Sequence, residues 1–263
     1  MNIVVCIKQV PDTTEVKLDP ITNTLIREGV PSIINPDDKS GIEAALVLKE
    51  KVGGKVTLVS MGPPQADVAL REGLAMGADE AILISDRAFG GSDTWATSST
   101  IAAALKKLDF DVIITGRQAI DGDTAQVGPQ IAEHLGIPQV SYAEKVDVEG
   151  GKLIVKRQFE DRYHIIEVET PCLITALAEL GKPRYMTVGG IFDAYREKEV
   201  KIWRLEDIKD TVDENNLGLK GSPTRVKQSF TKQGKGVGKI LNGITADEAV
   251  EAIVAKLQER HII

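Results

Sequence analysis

Short apolar runs rich in β-branched residues recur along this chain and constrain its fold more than any other feature. The runs lie at 3–7, 56–60, 81–84, 112–115 and 173–176. Between the first four lie helix-like segments near 37–51, 64–76 and 93–107. Runs that are apolar throughout, rather than alternately apolar and polar, are typical of parallel strands buried on both faces. The pattern therefore predicts an α/β fold with a doubly wound, mainly parallel sheet, whose ligands bind in the loops after the strands.

Two further segments are predicted to be hairpins added to this sheet. Short alternating runs around Asp19 to Asn23 predict a surface hairpin before the first helix. A second pair of runs, 152–158 and 164–170, predicts another hairpin after the fourth strand-helix unit. Both are treated as insertions that leave the order of the buried strands unchanged.

The character of the chain changes near residue 203. The following segment is polar and rich in Gly and Lys, with few large apolar residues before Ile240, so it lacks the side chains for a core of its own. We therefore predict a main α/β domain, 1–203, and an extended C-terminal arm, 204–263. The arm ends in a predicted helix, because Thr245 and Glu248 match a capping box and apolar residues follow at helical spacing. The pattern leaves open whether this helix docks on its own chain or on a partner.

Charge and hydropathy argue against several classes of protein. The formal net charge of −7 is opposite to what a nucleic-acid-binding protein needs to neutralise phosphates. The amino terminus has no basic region followed by a long apolar stretch, and no window reaches about 18 consecutive apolar residues. We therefore expect a soluble, cytoplasmic protein without a membrane span. Cys6 and Cys172 lie far apart in apolar runs, which predicts buried thiols rather than a disulfide or a metal site.

The loop GRQAIDGDTAQVGP at 116–129 decides most of the functional interpretation. Its aspartates, Asp121 and Asp123, match a calcium loop poorly, because the alternation of oxygen ligands stops at Ala125. Zinc would need His or Cys, and neither occurs in the loop before His134. A paired-carboxylate acid/base site is less favoured than a strand-to-helix turn in which Asp123 caps the helix. We therefore assign no metal ligand here.

The same loop has the features of a nucleotide-binding turn. A loop of small residues that follows a parallel strand and opens into a helix presents backbone N–H groups and a positive helix terminus to phosphates. Gly116 and Gly122 are expected to allow close approach of the backbone. The polar side chains available to a phosphate are Arg117, Gln118, Thr124 and Gln126. The loop matches neither the G-x-G-x-x-G nor the G-x-x-x-x-G-K-[ST] motif, so a capped turn without a ligand remains the alternative.

Two other loops are predicted to lie at the same edge of the sheet. Asn35 is placed at the cap of the first helix. Ser92 or Asp93 is placed at the cap of the third helix, with hydroxyls at Thr94 and Thr97. Together with the MGPP turn after the second run, these helix starts predict a composite nucleotide pocket. No nucleophile has a plausible base beside it in sequence, so we predict no catalytic side chain and expect a bound cofactor to supply any redox chemistry.

Several long motifs follow one another in a fixed order along the chain. They are VVCIKQVPD at 4–12, NPDD at 35–38, SMGPP at 60–64, LAMGAD at 74–79, GRQAIDGDTAQVGP at 116–129, VKRQFED at 155–161, PCLITAL at 171–177 and KPRYM at 182–186. In these motifs the chain resembles the β subunit of electron transfer flavoproteins. The resemblance implies a Rossmann-like domain and a C-terminal arm that embraces an α subunit.

The resemblance also implies a binding site for an adenine nucleotide. The residues implied are Cys6, Asn35, Asp37, Asp38, Met61, Gly116, Arg117, Gln118, Ala119, Asp121, Gly122, Asp123, Thr124, Ala125, Gln126 and Val127. In mitochondrial-type members the nucleotide is AMP, which has a structural role. In electron-bifurcating members it is FAD, which is reduced by NADH. Electrons then pass to ferredoxin or flavodoxin and, through the FAD of the α subunit, to an acyl-CoA dehydrogenase-type partner.

Three stretches resemble the bifurcating members: DTAQVGP at 123–129, FGGSDTWATS at 89–98 and GSPT at 221–224. The loop that carries Asp93, Thr94 and Thr97 would give a diphosphate the additional helix start that it needs. We therefore predict FAD with NADH as electron donor. The alternatives are AMP in the same site, or a stand-alone nucleotide-binding α/β protein. The resemblance further implies that Val188 inserts into the dehydrogenase and that Arg157 faces the α subunit.

Overall fold

The apolar runs fold as strands and the segments between them as helices. The computed structural model describes residues 1–12, 31–227, 236, 238 and 240–263. In these residues the strands are β1 (Asn2–Cys6), β2 (Gln9–Pro11), β3 (Ser32–Ile34), β4 (Lys55–Met61), β5 (Glu80–Ile84), β6 (Val112–Gly116), β7 (Gln139–Glu149), β8 (Lys152–Gln158), β9 (Tyr163–Val168), β10 (Cys172–Ala176) and β11 (Val200–Trp203). The helices are α1 (Pro36–Val52), α2 (Asp67–Met76), α3 (Thr94–Leu105), α4 (Val127–Leu135), α5 (Val188–Arg196), α6 (Leu205–Ile208) and α7 (Ala246–Glu259).

The described residues contain one large sheet, in the order β11-β5-β4-β1-β6-β10-β7-β8-β9. The neighbours from β11 to β7 pair in parallel, whereas β7, β8 and β9 pair antiparallel. Strand β1 lies between β4 and β6, so the strand order reverses at β1. This topology confirms the predicted doubly wound, mainly parallel α/β fold, and it places a ligand crevice at the carboxyl end of β1.

Both faces of the central sheet are buried, which explains why its strands are apolar throughout. Every residue of β6 and of β10 is buried. Ile42 of α1 and Leu70 of α2 belong to the apolar cluster on one face. Ile101 of α3 and Ile131 of α4 belong to the cluster on the other face. A side chain on either face of a central strand therefore meets a helix, as in other parallel sheets.

The second predicted hairpin is confirmed, because β8 and β9 pair antiparallel. The first predicted hairpin, around Asp19 to Asn23, lies outside the described residues. On either side of that segment, β2 and β3 pair antiparallel. Cys6 and Cys172 are free and buried, as predicted. Among the helices that the structure describes, none is both long enough and apolar enough to cross a membrane.

The chain divides into two compact units, Met1–Lys227 and Gln228–Ile263. The first unit thus continues beyond residue 203, where the sequence analysis begins the arm. Ile208 and Leu217 belong to the same apolar cluster as Ile101, so burial of these side chains holds this mainly polar segment within the first unit. The second unit contains α7, which begins with the predicted capping box: Thr245 Oγ1 accepts from the N–H of Glu248, whose carboxylate accepts from the N–H of Thr245.

Candidate functional site

A cavity of about 1160 Å³ lies at the carboxyl ends of the parallel strands. The loops after β1, β4, β5 and β6 line it, together with residues at the end of β11. Because β1 is the strand at which the order reverses, the cavity occupies the crevice where doubly wound sheets bind their ligands. This is the edge of the sheet at which the sequence analysis expects a nucleotide.

Asp38, in the first turn of α1, joins three segments at the floor of the cavity. Its carboxylate accepts hydrogen bonds from the backbone N–H of Lys8 at 2.7 Å and of Gly116 at 2.9 Å, and from Asn35 Nδ2 at 3.0 Å. Burial raises the pKa of Asp38 to about 7, although the three hydrogen bonds act in the opposite direction. The carboxylate therefore fixes the ends of β1 and β6 to the start of α1.

Asn35 and Asp37 hold the 116–127 loop from behind. Asn35 donates from Nδ2 to the carbonyl oxygen of Gln118 at 2.8 Å and accepts from the N–H of Ile120 at 3.1 Å. Asp37 Oδ2 lies 3.4 Å from Arg117 Nε. Burial raises the pKa of Asp37, while the charge of Arg117 and a backbone hydrogen bond from Gln118 oppose the shift. Both side chains contact the loop rather than the cavity.

The loop offers its backbone N–H groups mainly at its end, where α4 begins. The N–H groups of residues 116–118 and 120 all form hydrogen bonds within the protein, and those of Gly122 and Asp123 donate to the carbonyl oxygen of Ala119. In contrast, the N-cap of α4, Gln126, makes no side-chain cap hydrogen bond. Val127 and Gly128, in the first turn of α4, line the cavity. The unpaired N–H groups and the positive dipole end of an uncapped helix start favour an anion at this position.

Asp121 and Asp123 do not line the cavity, and the prediction that Asp123 caps a helix is wrong. Asp123 has a φ of 52°, and its carboxylate accepts a hydrogen bond from Gln118 Nε2. The helix begins at Val127, because the turn continues beyond Asp123 before regular helical geometry starts. The side chain of Asp121 is only 5% exposed and pairs with Lys8 Nζ at 2.7 Å, so its carboxylate neutralises a cation of the cavity wall.

The start of α3 lies beside the start of α4. Asp93 caps α3 by accepting from the N–H of Ala96 at 3.0 Å, which confirms one of the two predicted caps. Thr94 Oγ1 donates to Gln126 Oε1 at 2.9 Å and so joins the two helix starts. Thr94 and Thr97 line the cavity. The uncapped start of α4 and the hydroxyls at the start of α3 thus face the same cavity, where a ligand with more than one phosphate could contact both.

The segment 221–224 closes onto the same helix start. Thr224 donates to the carboxylate of Asp93 from its backbone N–H at 2.9 Å and from its hydroxyl at 2.7 Å. The N–H of Asp93 donates in turn to Ser222 Oγ at 2.9 Å. Although burial opposes it, the hydrogen bonds from Ala96 and Thr224 lower the pKa of Asp93. The ionised carboxylate of Asp93 therefore links the segment 221–224 to the start of α3. The neighbouring Thr94 and Thr97 are the side chains suited to a phosphate.

Gly116, rather than Gly122, is the glycine that this arrangement requires. A Cβ on Gly116 would lie 2.1 Å from Asp38 Oδ1 and 3.1 Å from Asn35 Nδ2. A Cβ on Gly122 would meet no atom of the described residues within 4 Å. At Gly116, therefore, the atoms that approach the backbone closely belong to the protein itself, and at Gly122 no described atom comes close.

The predicted cofactor-binding residues fall into two groups. Those that line the cavity are Cys6, Asp38, Met61, Asp93, Thr94, Thr97, Gly116, Arg117, Gln118, Ala119, Gly122, Thr124, Ala125, Gln126 and Val127. Those that lie behind it are Asn35, Asp37, Asp121 and Asp123. Burial raises the pKa of the Cys6 thiol to about 12, with the charge of Asp38 acting in the same direction. This thiol therefore stays protonated and forms part of the wall rather than a reactive group.

The cavity wall also contains residues that the sequence analysis does not name, among them Lys8, Ser60, Arg87 and Arg204. Ser60 Oγ is buried and has no hydrogen-bond partner among the described residues, whereas Arg117 Nε lacks a hydrogen bond but is ion-paired with Asp37. Unsatisfied buried donors at a cavity wall are explained by a ligand or by water. Ser60 could have been found at the end of the second apolar run, but Arg204 follows β11, a strand that the sequence pattern does not predict.

Val188, the predicted partner-inserting residue, is the first residue of α5 and is 88% exposed. Phe192 and Tyr195 follow at helical spacing and are also exposed, so the three form an apolar stripe on α5. The opposite side of α5 packs closely on α2, because a Cβ on Gly190 would lie 2.4 Å from the carbonyl oxygen of Ala75. The helix is thus held rigidly with its apolar stripe outward.

Arg157, the residue predicted to face the α subunit, lies in β8. Its guanidinium lies 4.7 Å from the centroid of the Phe159 ring, within range of a cation–π contact. Its Nε is buried and has no hydrogen-bond partner among the described residues. Nearby on the edge strand β9, Tyr163 and Ile165 are exposed. Unpaired edge strands with exposed apolar side chains commonly pair with another chain.

Comparison with known proteins adds independent evidence. A family model described as "Electron transfer flavoprotein domain" matches residues 22–207. The chain is similar to the protein called "Electron transfer flavoprotein subunit beta" of Clostridium acetobutylicum, with 62% identity over 263 residues and 100% of both chains covered. It is 57% identical to "Caffeyl-CoA reductase-Etf complex subunit CarD" of Acetobacterium woodii, again over 100% of both chains. It is 53% identical to "Acryloyl-CoA reductase electron transfer subunit gamma" of Anaerotignum propionicum, with the same coverage.

Proposed function

The chain belongs to the electron transfer flavoprotein family as a β subunit, and we propose that it works in a heterodimer with an α subunit, binds FAD in its cavity and takes electrons from NADH. The proposed acceptors are ferredoxin or flavodoxin and, through the FAD of the α subunit, an acyl-CoA dehydrogenase-type flavoenzyme. Relatives whose names refer to caffeyl-CoA reductase and acryloyl-CoA reductase support an acyl-CoA partner. The alternative is a subunit that holds AMP in the same cavity.

The observation that carries this proposal is the extent of the cavity. Its volume of about 1160 Å³ is close to the upper end of the roughly 300–1,000 Å³ typical of small-molecule sites, so it can accommodate a ligand as large as a dinucleotide. It also includes the starts of both α3 and α4, which Thr94 and Gln126 join. The start of α4 is uncapped and can hold one phosphate, and the hydroxyls of Thr94 and Thr97 beside it can serve a second. These features favour FAD over AMP.

The residues of this chain act by binding and orienting. The uncapped start of α4, with Thr94 and Thr97 beside it, is proposed to hold the diphosphate. Ser60 Oγ, which is unsatisfied in the described structure, and the guanidinium of Arg117, which lines the cavity, are proposed to contact the ligand. FAD, when bound, supplies hydride and single-electron chemistry that no protein side chain provides. We accordingly assign no side chain as a general acid or base.

Two surfaces are proposed to bind protein partners. The apolar stripe of α5, Val188, Phe192 and Tyr195, is proposed to dock on the dehydrogenase, because these large apolar side chains are exposed on a firmly held helix. The edge strand β9 and Arg157 are proposed to face the α subunit. The C-terminal arm is proposed to embrace the α subunit, since within its own unit α7 leaves Val250 and Ile253 exposed.

The experiment that tests the proposal is a count of nucleotides in the purified heterodimer. Denaturation releases the bound nucleotides, and chromatography with absorbance detection separates FAD from AMP. We expect two FAD per heterodimer and no AMP. One FAD together with one AMP would contradict the proposal and support the alternative.

A further inference from the structure

Four cationic side chains line the cavity, and only two of them have a carboxylate partner among the described residues. Lys8 pairs with Asp121 at 2.7 Å, and Arg117 lies within ion-pair distance of a carboxylate of α1. The other two, Arg87 and Arg204, form no ion pair in the part of the chain that the structure describes. Both are exposed at the cavity wall. The wall therefore carries two positive charges that no described carboxylate neutralises at contact distance.

These two arginines follow neighbouring strands. Strands β5 and β11 pair in parallel up to their last residues, Ile84 and Trp203. A hydrogen bond of 3.3 Å from the N–H of Leu205 to Asp86 Oδ2 then joins the two chain segments beyond the strands. Arg87 and Arg204 are each the direct sequence neighbour of one end of this bond. The backbone segments that carry both arginines therefore lie close together at the cavity rim, at the ends of β5 and β11.

Two carboxylates beside the arginines are already committed to the backbone. Asp207 Oδ2 accepts from the N–H of Arg204 at 2.7 Å. Asp86 accepts from the N–H of Ala88 at 3.0 Å and from the N–H of Leu205 at 3.3 Å. These hydrogen bonds, more than the charge of Arg204, lower the pKa of Asp86. Asp86 thus shapes the turn that presents the arginines and leaves their guanidinium donors available to a ligand.

We propose that Arg87 and Arg204 form a phosphate-binding subsite of the cavity, and that its ligand is a phosphate of a bound dinucleotide. Guanidinium groups bind phosphate through two parallel N–H···O bonds, which is the recognition that two unpaired arginines at one rim provide. The inference rests on the proposed function, because it assigns a second phosphate site in the same cavity. The start of α4 and the threonines beside it are already proposed to hold the diphosphate of FAD, so the phosphates of the nicotinamide dinucleotide donor are the favoured source.

The test compares the double variant R87Q/R204Q with the wild-type heterodimer and with K209Q. Lys209 lies close in sequence to Arg204 but does not line the cavity. The control K209Q therefore removes one positive charge from the same region without changing the proposed subsite. Flavin reduction is followed in stopped flow with NADH and with a simple dihydronicotinamide that carries no phosphate. Flavin content after gel filtration and the circular dichroism spectrum show whether each variant is folded and loaded. The R87K/R204K variant keeps both positive charges but loses the planar guanidinium groups with their paired N–H donors.

Three results are distinguishable. If the donor supplies the phosphate, R87Q/R204Q keeps its flavins and reacts normally with the phosphate-free donor. The NADH concentration that gives half-maximal reduction then rises roughly a hundredfold, about tenfold for each arginine whose charge-assisted hydrogen bonds to phosphate are removed. R87K/R204K is then intermediate and K209Q unchanged. If FAD supplies the phosphate, R87Q/R204Q folds but loses flavin on gel filtration. The subsite is refuted if the folded variant keeps its flavins and its NADH dependence within about twofold of wild type. Failure of the proposed function itself would appear in the wild type, as a missing second flavin.

Discussion

Replacing Gly116 by alanine should disrupt the floor of the cavity, because this glycine touches the buried carboxylate that joins three segments. The added Cβ would lie 2.1 Å from Asp38 Oδ1 and 3.0 Å from the backbone nitrogen of Asp38. Neither atom belongs to a flexible chain end, since Asp38 lies in the first turn of α1 and its carboxylate is held by three hydrogen bonds. Either the carboxylate or the end of β6 must move.

The size of the effect follows from the interactions that the substitution disturbs. Overpacking a rigid site costs roughly 1–3 kcal/mol, and loss of the hydrogen bond from Gly116 N to a charged acceptor costs roughly 1.5–3 kcal/mol more. The variant should therefore be destabilised by roughly 3–6 kcal/mol, which corresponds to a fall in melting temperature on the order of 10 °C for a unit of this size. Because the floor and the 116–127 loop share Asp38, nucleotide retention should fall as well.

The matched control is Gly122→Ala in the same loop. At Gly122 a Cβ meets nothing among the described residues within 4 Å, so alanine should change the free energy of unfolding by no more than about 1 kcal/mol. Both variants are measured as purified heterodimers by calorimetry, with bound nucleotide counted afterwards. If Gly116→Ala matches Gly122→Ala in melting temperature and in nucleotide content, the role assigned to the Asp38 junction is wrong.

Three other predictions follow from the same structure. Burial raises the pKa of Asp38 from 3.8 to about 7. The contribution of Asp38 to stability is therefore fully present below pH 3.8 and is lost as the pH rises through about 7. Asp38→Asn should flatten the dependence of the unfolding free energy on pH between these values, and an unchanged slope would contradict the shift. Cys6, with a pKa raised to about 12, should resist alkylation at pH 8 in the native complex and react after unfolding; rapid native labelling would show that it is not buried. Val188→Asp should slow electron transfer to the dehydrogenase by at least roughly tenfold, because the aspartate would have to lose its hydration in the protein–protein contact. Reduction of the flavin by NADH should be unchanged. Equal loss of both activities would argue against a docking role.

The sequence predicts the central sheet well because burial on both faces leaves a simple signature. Each of the five apolar runs becomes a parallel strand, and the strand ends define the cavity. Helix α5 escapes prediction for a physical reason. Helix α5 begins Val188-Gly189-Gly190, and glycine disfavours helix, yet Gly190 is needed for close packing on α2. Tertiary contact therefore overrides local propensity there.

The roles of the polar residues in the loops are harder to predict from sequence. Asn35, Asp37 and Asp38 have the appearance of ligand-binding residues, but their hydrogen bonds go mainly to the loop that begins at Gly116, about 80 residues away. Such partners cannot be found from spacing in one sequence. Arg204 illustrates the same limit, since only the pairing of β11 with β5 brings it to the cavity rim.

We propose that the cavity of this subunit holds a redox-active flavin that NADH reduces. The most direct test is an anaerobic titration of the purified heterodimer with NADH, followed by visible absorbance and normalised to the flavin content of the same sample. We expect stoichiometric NADH to bleach a second flavin, distinct from the flavin of the α subunit. A complex that contains one flavin, or whose second flavin keeps its absorbance with excess NADH, would contradict it.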